Sequence, residues 1–106
     1  MAASANPVNK IVKDYIRRLR EDNIPIQKVF LFGSYATGNQ RKDSDIDIAI
    51  ISTFFKGDRF SDRRLIVPYR RGLDSRIDPI PFTPNDFDKG GILIDEIKRT
   101  GQIIQT

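Results

Sequence analysis

Two aspartates at alternate positions, Asp45 and Asp47, are the residues whose type and spacing most clearly suit a chemical role. They open the run 45–51, whose alternation and isoleucines predict a β-strand. Residues two apart on a strand face the same side, so both carboxylates point one way while isoleucines cover the other face. Carboxylates that close repel each other unless a cation lies between them, which predicts a divalent metal site. Taken alone, the pair also fits a solvated strand face.

Asp78 is the natural third carboxylate of such a site. It lies in the run 75–82, which predicts a third strand, and Pro79 and Pro81 make that strand an edge strand or an irregular one. If the third strand pairs with the second, Asp78 joins the other two aspartates. It would then hold a metal ion and accept the proton of an attacking hydroxyl. The alternative interpretation is that an aspartate before a proline begins a turn.

A glycine–serine pair, Gly33 and Ser34, directly follows a predicted first strand at 26–32. Glycine lets a main chain approach a phosphate closely, and the amides at the start of a following helix favour an anion. The Ser34 hydroxyl could donate a hydrogen bond to the same phosphate. By itself such a pair is typical of an ordinary turn.

The remaining elements follow from the periodicity of apolar residues. The 106 residues fit a single domain spanning 1–106, in which residues 1–6 form a loose terminus. Helices are predicted from Asn6 and Pro7 to 22, at 60–73 with a kink or end at Pro68, after Thr83, and from 92 to an end at Gly101. Further strands are predicted at 45–51, 75–82 and 102–105. The predicted fold class is α/β (α+β), a mixed β-sheet with helices packed on it.

The composition limits the chemistry that is available. The sequence contains no cysteine and no histidine, which excludes disulfides, thiolate metal sites and a Ser-His-Asp triad. Carboxylate oxygens remain as ligands, and they favour a hard cation such as Mg²⁺ or Mn²⁺. The net charge of +4 fits a nucleotide, RNA or acidic protein partner, although many basic domains are simply soluble. No apolar run approaches the roughly 20 residues of a membrane span and the start lacks signal-peptide features, so we expect a cytoplasmic protein.

A group of arginines concentrates positive charge in the middle of the chain. One interpretation is that these side chains contact a triphosphate, or an acidic or RNA acceptor. The favoured interpretation for most of them is a solvated helix face, or salt bridges to Asp58, Asp62 and Asp74. The group consists of Arg59, Arg63, Arg64, Arg70, Arg71 and Arg76.

The combined pattern resembles the signature of the DNA polymerase β-like nucleotidyltransferase superfamily, and is most similar to its minimal branch. That pattern is Gly-Ser, ten residues, and Asp-x-Asp, as in Gly33, Ser34, Asp45 and Asp47. Further residues stand where the branch has them, namely Ala36, Gly38 and Ser44. Asp78 looks like the third aspartate of the family.

The resemblance implies a mechanism and a set of site residues. Asp45 and Asp47 would bind two Mg²⁺ ions, and Asp78 would complete one of them and act as the base. The nucleotide would be bound by Gly33, Ser34 and Ser44, with the first two at the β- and γ-phosphates. The reaction would transfer a nucleoside monophosphate, AMP from ATP, to a hydroxyl group.

The resemblance also implies a partner. Minimal members of the superfamily are commonly paired with a HEPN-type helical RNase toxin, which they adenylylate on a tyrosine while acting as its antitoxin. A chain of this length leaves little room for an acceptor domain, so we expect the acceptor site to be built with another subunit. Two alternatives stay open: an antitoxin that neutralises its partner by contact alone, and a transferase acting on a small molecule such as an aminoglycoside or on RNA.

Overall fold

The computed structural model describes residues 8–106, so the predicted helix start at Asn6 and Pro7 and the predicted loose terminus lie outside it. The fold is a four-stranded sheet with helices on both faces. Its elements are α1 Val8–Glu21, β1 Lys28–Phe32, α2 Ser34–Thr37, β2 Ile46–Ile51, α3 Arg59–Ile66, a 3-10 helix Val67–Arg70, β3 Ile77–Phe82, α4 Pro84–Lys89, α5 Ile92–Thr100 and β4 Gln102–Ile103.

The sheet has the strand order β3-β2-β1-β4 and mixed directions. β2 runs antiparallel to β1 and parallel to β3, and β4 closes the other edge antiparallel to β1. The parallel pair arises because α3 and the 3-10 helix return the chain before β3 begins. The predicted class, a mixed sheet with packed helices, is confirmed.

Each face of the sheet has its own apolar layer. Ile46, Ile48 and Ile50 lie on the face that packs against α1, and all three are fully buried. Ala49 and Ile51 lie on the other face, in a layer with aromatic residues of β1, β3 and α4. β2 is thus packed on both faces, which makes it a rigid support for the side chains at its start.

The helix after β2 is shorter than predicted. α3 begins after Asp58, whose side chain accepts hydrogen bonds from the amides of Phe60 and Ser61. Its α-helical part ends at Ile66, and the chain continues as the 3-10 helix that contains Pro68. The expectation that this proline ends the helix is therefore confirmed, because a proline cannot supply the amide of an α-helical hydrogen bond.

The free edge of β3 is closed by prolines and by arginines. The amide-less Pro79 and Pro81 occupy alternate positions, where the main chain points away from β2. The carbonyl of Ile77 accepts from Arg70 Nη1 at 2.6 Å, and that of Pro79 accepts from Arg63 Nε at 3.3 Å. β3 is an edge strand as predicted, and its edge offers little to a pairing strand.

Within residues 8–106, no helix combines the length and the apolar character that crossing a bilayer requires.

Candidate active site

The three predicted aspartates lie together where β2 and β3 begin. Asp47 stands directly opposite Asp78 in the parallel register, and Asp45 immediately precedes β2. Each offers a carboxylate oxygen, and the three oxygens lie within 4.8 Å of one another. The structure therefore brings the three together, as expected if the third strand pairs with the second.

The end of β1 completes the same corner of the sheet. β1 is antiparallel to β2, so its last residue, Phe32, lies opposite Asp47. The chain then turns at Gly33 into the short helix α2, which starts at Ser34. The glycine–serine turn is thereby held directly beside the carboxylates.

Gly33 is a position where only glycine fits. Its φ angle is +74°, a left-handed conformation that other residues adopt at a cost. A Cβ atom placed there would collide with the Asp47 carboxylate, closer than non-bonded atoms approach. The turn and the carboxylate are thus in van der Waals contact, and the glycine maintains that contact.

Two further residues of the predicted nucleotide site have clear positions. Ser34 is the first residue of α2 and is half-buried. The Oγ atom of Ser44 accepts a hydrogen bond from the Arg41 amide at 2.7 Å, which closes the turn leading into Asp45. A role for either serine in binding a nucleotide stays a prediction.

The surroundings of Asp47 disfavour its negative charge. Burial raises its pKa from 3.8 to about 6, with smaller contributions from the charges of Asp78 and Asp45 and from a hydrogen bond with Asp78. A cation between the carboxylates would reverse these effects, because it would favour the ionised form. Three converging oxygen donors that repel one another fit a hard divalent cation such as Mg²⁺, which these residues would hold.

The raised pKa of Asp47 makes a prediction about stability in the absence of metal. A carboxyl whose pKa rises on folding contributes most stability below its unfolded value, 3.8, and loses that contribution as pH rises to about 6. Asp47→Asn should therefore increase the free energy of unfolding in EDTA at about pH 7.5, by about 1–2 kcal/mol, and change it little at about pH 4. This change in the free energy of unfolding is smaller than the free energy that corresponds to the whole pKa shift, because the Asp47 side chain is partly solvated.

Urea denaturation at both pH values measures this effect. Asp88→Asn is the matched control, because it removes one negative charge from an exposed position of α4. An Asp47→Asn variant that is no more stable than the control at neutral pH would contradict the electrostatic account.

Arg63, one of the six arginines in the middle of the chain, is a further residue of the site. Its Nη2 atom contacts Asp78 Oδ1 at 2.6 Å, and both side chains are partly exposed. The two residues lie 15 positions apart on a helix and a strand, so no local pattern could have paired them. Arg63 balances one negative charge of the cluster and restrains the orientation of Asp78.

The acids predicted to neutralise the arginines mostly have other roles. Asp62 is buried and accepts hydrogen bonds from the amides of Lys56 and Gly57. Asp58 caps α3. Of the three predicted acids, Asp74 pairs with an arginine, Arg76, at 2.8 Å. Of the two alternatives in the favoured interpretation, the solvated face fits Arg59 and Arg64 of α3, which are exposed, and the salt bridge fits Asp74. Asp58 and Asp62 pair with no arginine among residues 8–106, because their carboxylates accept hydrogen bonds from main-chain amides.

The fold and the site together define a nucleotidyltransferase-type domain: a mixed sheet that presents clustered carboxylates beside a glycine–serine turn. A family model described as a nucleotidyltransferase domain matches residues 11–103. The chain belongs to this family.

Three similar proteins illustrate the relationship. Over 45 residues the chain is 51% identical to the protein adenylyltransferase MntA of Shewanella oneidensis, a match covering 42% of this chain and 29% of that protein. The crystal structure of a toxin–antitoxin with AMP-PNP is similar at 28% identity and a TM-score of 0.64, over 92% of this chain and 72% of that one. A nucleotidyltransferase structure from Sulfolobus solfataricus, described as putative, shares the fold at 18% identity and a TM-score of 0.66, over 97% of this chain and 89% of that one.

Proposed function

We propose that this chain is a Mg²⁺-dependent nucleotidyltransferase that transfers AMP from ATP to a tyrosine hydroxyl of a helical HEPN-type toxin, for which it acts as the antitoxin. The observation that carries the proposal is the carboxylate cluster of Asp45, Asp47 and Asp78, held against the Gly33 turn. A purely contact-based antitoxin would have no use for three mutually repelling carboxylates, which cost stability in the absence of a cation.

The proposed reaction is an in-line displacement at the α-phosphorus of ATP. The acceptor oxygen forms a bond to that phosphorus, the bond to the bridging oxygen breaks, and pyrophosphate leaves. Two Mg²⁺ ions, when bound, would polarise the phosphate and stabilise the charge on the attacking and leaving oxygens. Asp78 accepts the proton of the attacking hydroxyl, and Arg63 keeps its carboxylate oriented during that transfer.

The glycine–serine turn would position the triphosphate. Gly33 has no side chain, so phosphate oxygens can approach its main chain closely, next to Asp47. Ser34 at the start of α2 would donate to the β- or γ-phosphate, and Ser44 would lie near the nucleotide as the loop enters β2. Such contacts would hold the α-phosphorus beside the carboxylates, so the contribution of the turn to catalysis would be chiefly positioning.

Support for AMP as the transferred group and for a protein acceptor comes from the relatives. One of them is named a protein adenylyltransferase, and another is a toxin–antitoxin crystallised with an ATP analogue. We extend both features to this chain as a proposal. It implies that the chain acts in the cytoplasm, where ATP, Mg²⁺ and a toxin partner are available.

A transfer assay with two labels tests the proposal. The chain is incubated with Mg²⁺, the purified protein encoded next to it, and ATP labelled either on the α- or on the γ-phosphate. We expect the α-label alone to appear on the partner, on a tyrosine identified by mass spectrometry, and EDTA to abolish the transfer. Appearance of the γ-label would indicate phosphorylation instead, and the absence of both labels would count against an enzymatic role.

A further inference from the structure

The outward face of α3 carries an exposed aromatic and basic surface, of which the proposed chemistry uses Arg63 alone, to orient Asp78. Phe60, Arg63, Arg64 and Val67 recur at the spacing of one helical face and line a pocket of about 260 Å³. A second pocket, of about 380 Å³, shares Val67 and continues past it to Arg71. We call the two contiguous pockets the α3 groove.

Two arginines of the α3 groove, Arg64 and Arg71, carry charges that are not neutralised within the part of the chain that the structure describes, whereas Arg63 pairs with Asp78. Neither pocket is lined by an acidic side chain. Arg64 and Arg71 form no ion pair among residues 8–106. The nearby acids have other partners: one caps α3, one accepts hydrogen bonds from loop amides, and the others pair with Arg63 or Arg76. Uncompensated guanidinium groups at a shared groove favour carboxylates of a partner.

An exposed aromatic ring lies in the same groove. Phe60 leaves 73% of its surface in solvent, and the guanidinium of Arg64 lies 5.8 Å from the centre of its ring. Aromatic and arginine residues are the types enriched at the centres of protein interfaces, where each buries a large area. Val67 and Pro68 add an apolar floor between Arg64 and Arg71.

The groove adjoins the side of the active site from which an acceptor must arrive. An attacking hydroxyl has to come within hydrogen-bonding distance of Asp78 if that residue takes its proton. Arg63 lines the groove and contacts Asp78 at 2.6 Å, so it joins the two surfaces. A partner bound in the groove would therefore lie directly beside the proposed base.

We propose that the α3 groove binds an acidic segment of the acceptor protein, with an aromatic or apolar side chain against Phe60 and Val67 and carboxylates on Arg64 and Arg71. That this segment belongs to the protein that receives AMP, and lies next to the modified hydroxyl, rests on the proposed function. A peptide fits better than an RNA strand, because apolar residues separate the arginines and one of those arginines lies against the aromatic ring, whereas single-stranded RNA favours a continuous basic track with free ring faces.

Peptide binding without ATP or Mg²⁺ tests the groove independently of catalysis. The probe is a short fluorescent peptide with one tyrosine flanked by glutamate and aspartate, and the comparison peptide has glutamine in place of the acids. Fluorescence anisotropy should show saturable binding of the acidic peptide and no binding of the glutamine peptide. Arg64→Glu/Arg71→Glu should weaken that binding by at least about tenfold, because two attractive contacts become repulsive.

Controls separate a specific groove from general charge attraction. Lys13→Glu/Lys28→Glu changes the net charge equally at exposed positions on α1 and at the start of β1, and should alter binding by less than about twofold. Phe60→Ser tests the apolar contact without a change of charge and should also weaken binding. Equal loss in both double variants, no binding by the unmodified protein, or preferential binding of an oligouridine RNA would each overturn the proposal.

The transfer assay then connects the groove to the acceptor. With the neighbouring protein as substrate, Arg64→Glu/Arg71→Glu should raise KM for that protein and leave kcat nearly unchanged, because neither side chain touches the reacting groups. If the unmodified chain transfers no AMP but binds the acidic peptide in the groove, the proposed function fails and the groove stands. If AMP transfer is normal in both double variants, the groove is wrong and the function stands.

Discussion

Asp45→Asn/Asp47→Asn is expected to abolish AMP transfer, with a loss of at least about 10³-fold, while the domain stays folded. Both side chains are proposed to hold metal ions, and an amide oxygen cannot replace the negative charge that a hard cation requires. The loss of two repelling carboxylates should make the metal-free variant more stable than the unmodified chain. A result of this kind separates lost chemistry from lost folding.

The same variant distinguishes a catalytic antitoxin from one that acts by contact. Cells that express the proposed toxin partner should be rescued by the unmodified chain and not by the double variant. Asp43→Asn/Asp88→Asn is the matched control, since it removes the same number of negative charges from exposed positions outside the cluster. Full rescue by the double asparagine variant would show that neutralisation needs only contact, and the enzymatic account of the biological role would be wrong.

Gly33→Ala is expected to reduce transfer by about 10²-fold or more. The new Cβ atom would occupy the space of the Asp47 carboxylate, which would have to leave the position where it converges with Asp45 and Asp78. The backbone at this position also has a φ angle of +74°, which is strained for alanine. The expected signature is a raised Mg²⁺ requirement together with a lower kcat.

Gly38→Ala is the control for an alanine at positive φ beside α2 without a collision, although its left-handed helical conformation is less costly for alanine than that of Gly33. Gly38 lies at the other end of α2 with a φ angle of +82°, and a Cβ atom there would meet nothing within 4 Å. Steady-state assays over a range of Mg²⁺ concentrations should show a much smaller effect for this variant than for Gly33→Ala. Equal losses in the two variants would mean that strain at α2, rather than contact with Asp47, limits the reaction.

Several features of the fold could be predicted because they depend on neighbours in the sequence. Alternation along 45–50 places Ile46, Ile48 and Ile50 on one face and the carboxylates on the other, and the structure has these three isoleucines fully buried. Pro79 and Pro81 predict an edge strand because a proline cannot donate to a ladder, and β3 is at the edge. The end of the α-helix before Pro68 follows from the same missing amide.

Contacts across the sheet could not be predicted in this way. The sequence allows Asp78 to join Asp47, but only if their strands are neighbours in the right register, and register depends on the packing of both apolar layers. The pairing of Arg63 with Asp78 and the hydrogen bond that Asp62 accepts from a loop amide are further examples. Each depends on how α3 lies along β3, which no spacing within either element reveals.

The sequence alone determined the types of chemistry open to this protein: with no cysteine or histidine, carboxylates at alternate positions and a glycine–serine pair, it predicted a metal-dependent site for phosphate chemistry. Only the tertiary structure decided that three carboxylate oxygens lie within 4.8 Å of one another, that the Gly33 turn contacts Asp47, and that an arginine from α3 reaches Asp78. The physical reason is that residue type and local period set what a side chain can do and which face it occupies. The distances between charges are set by the packing of elements far apart in the chain.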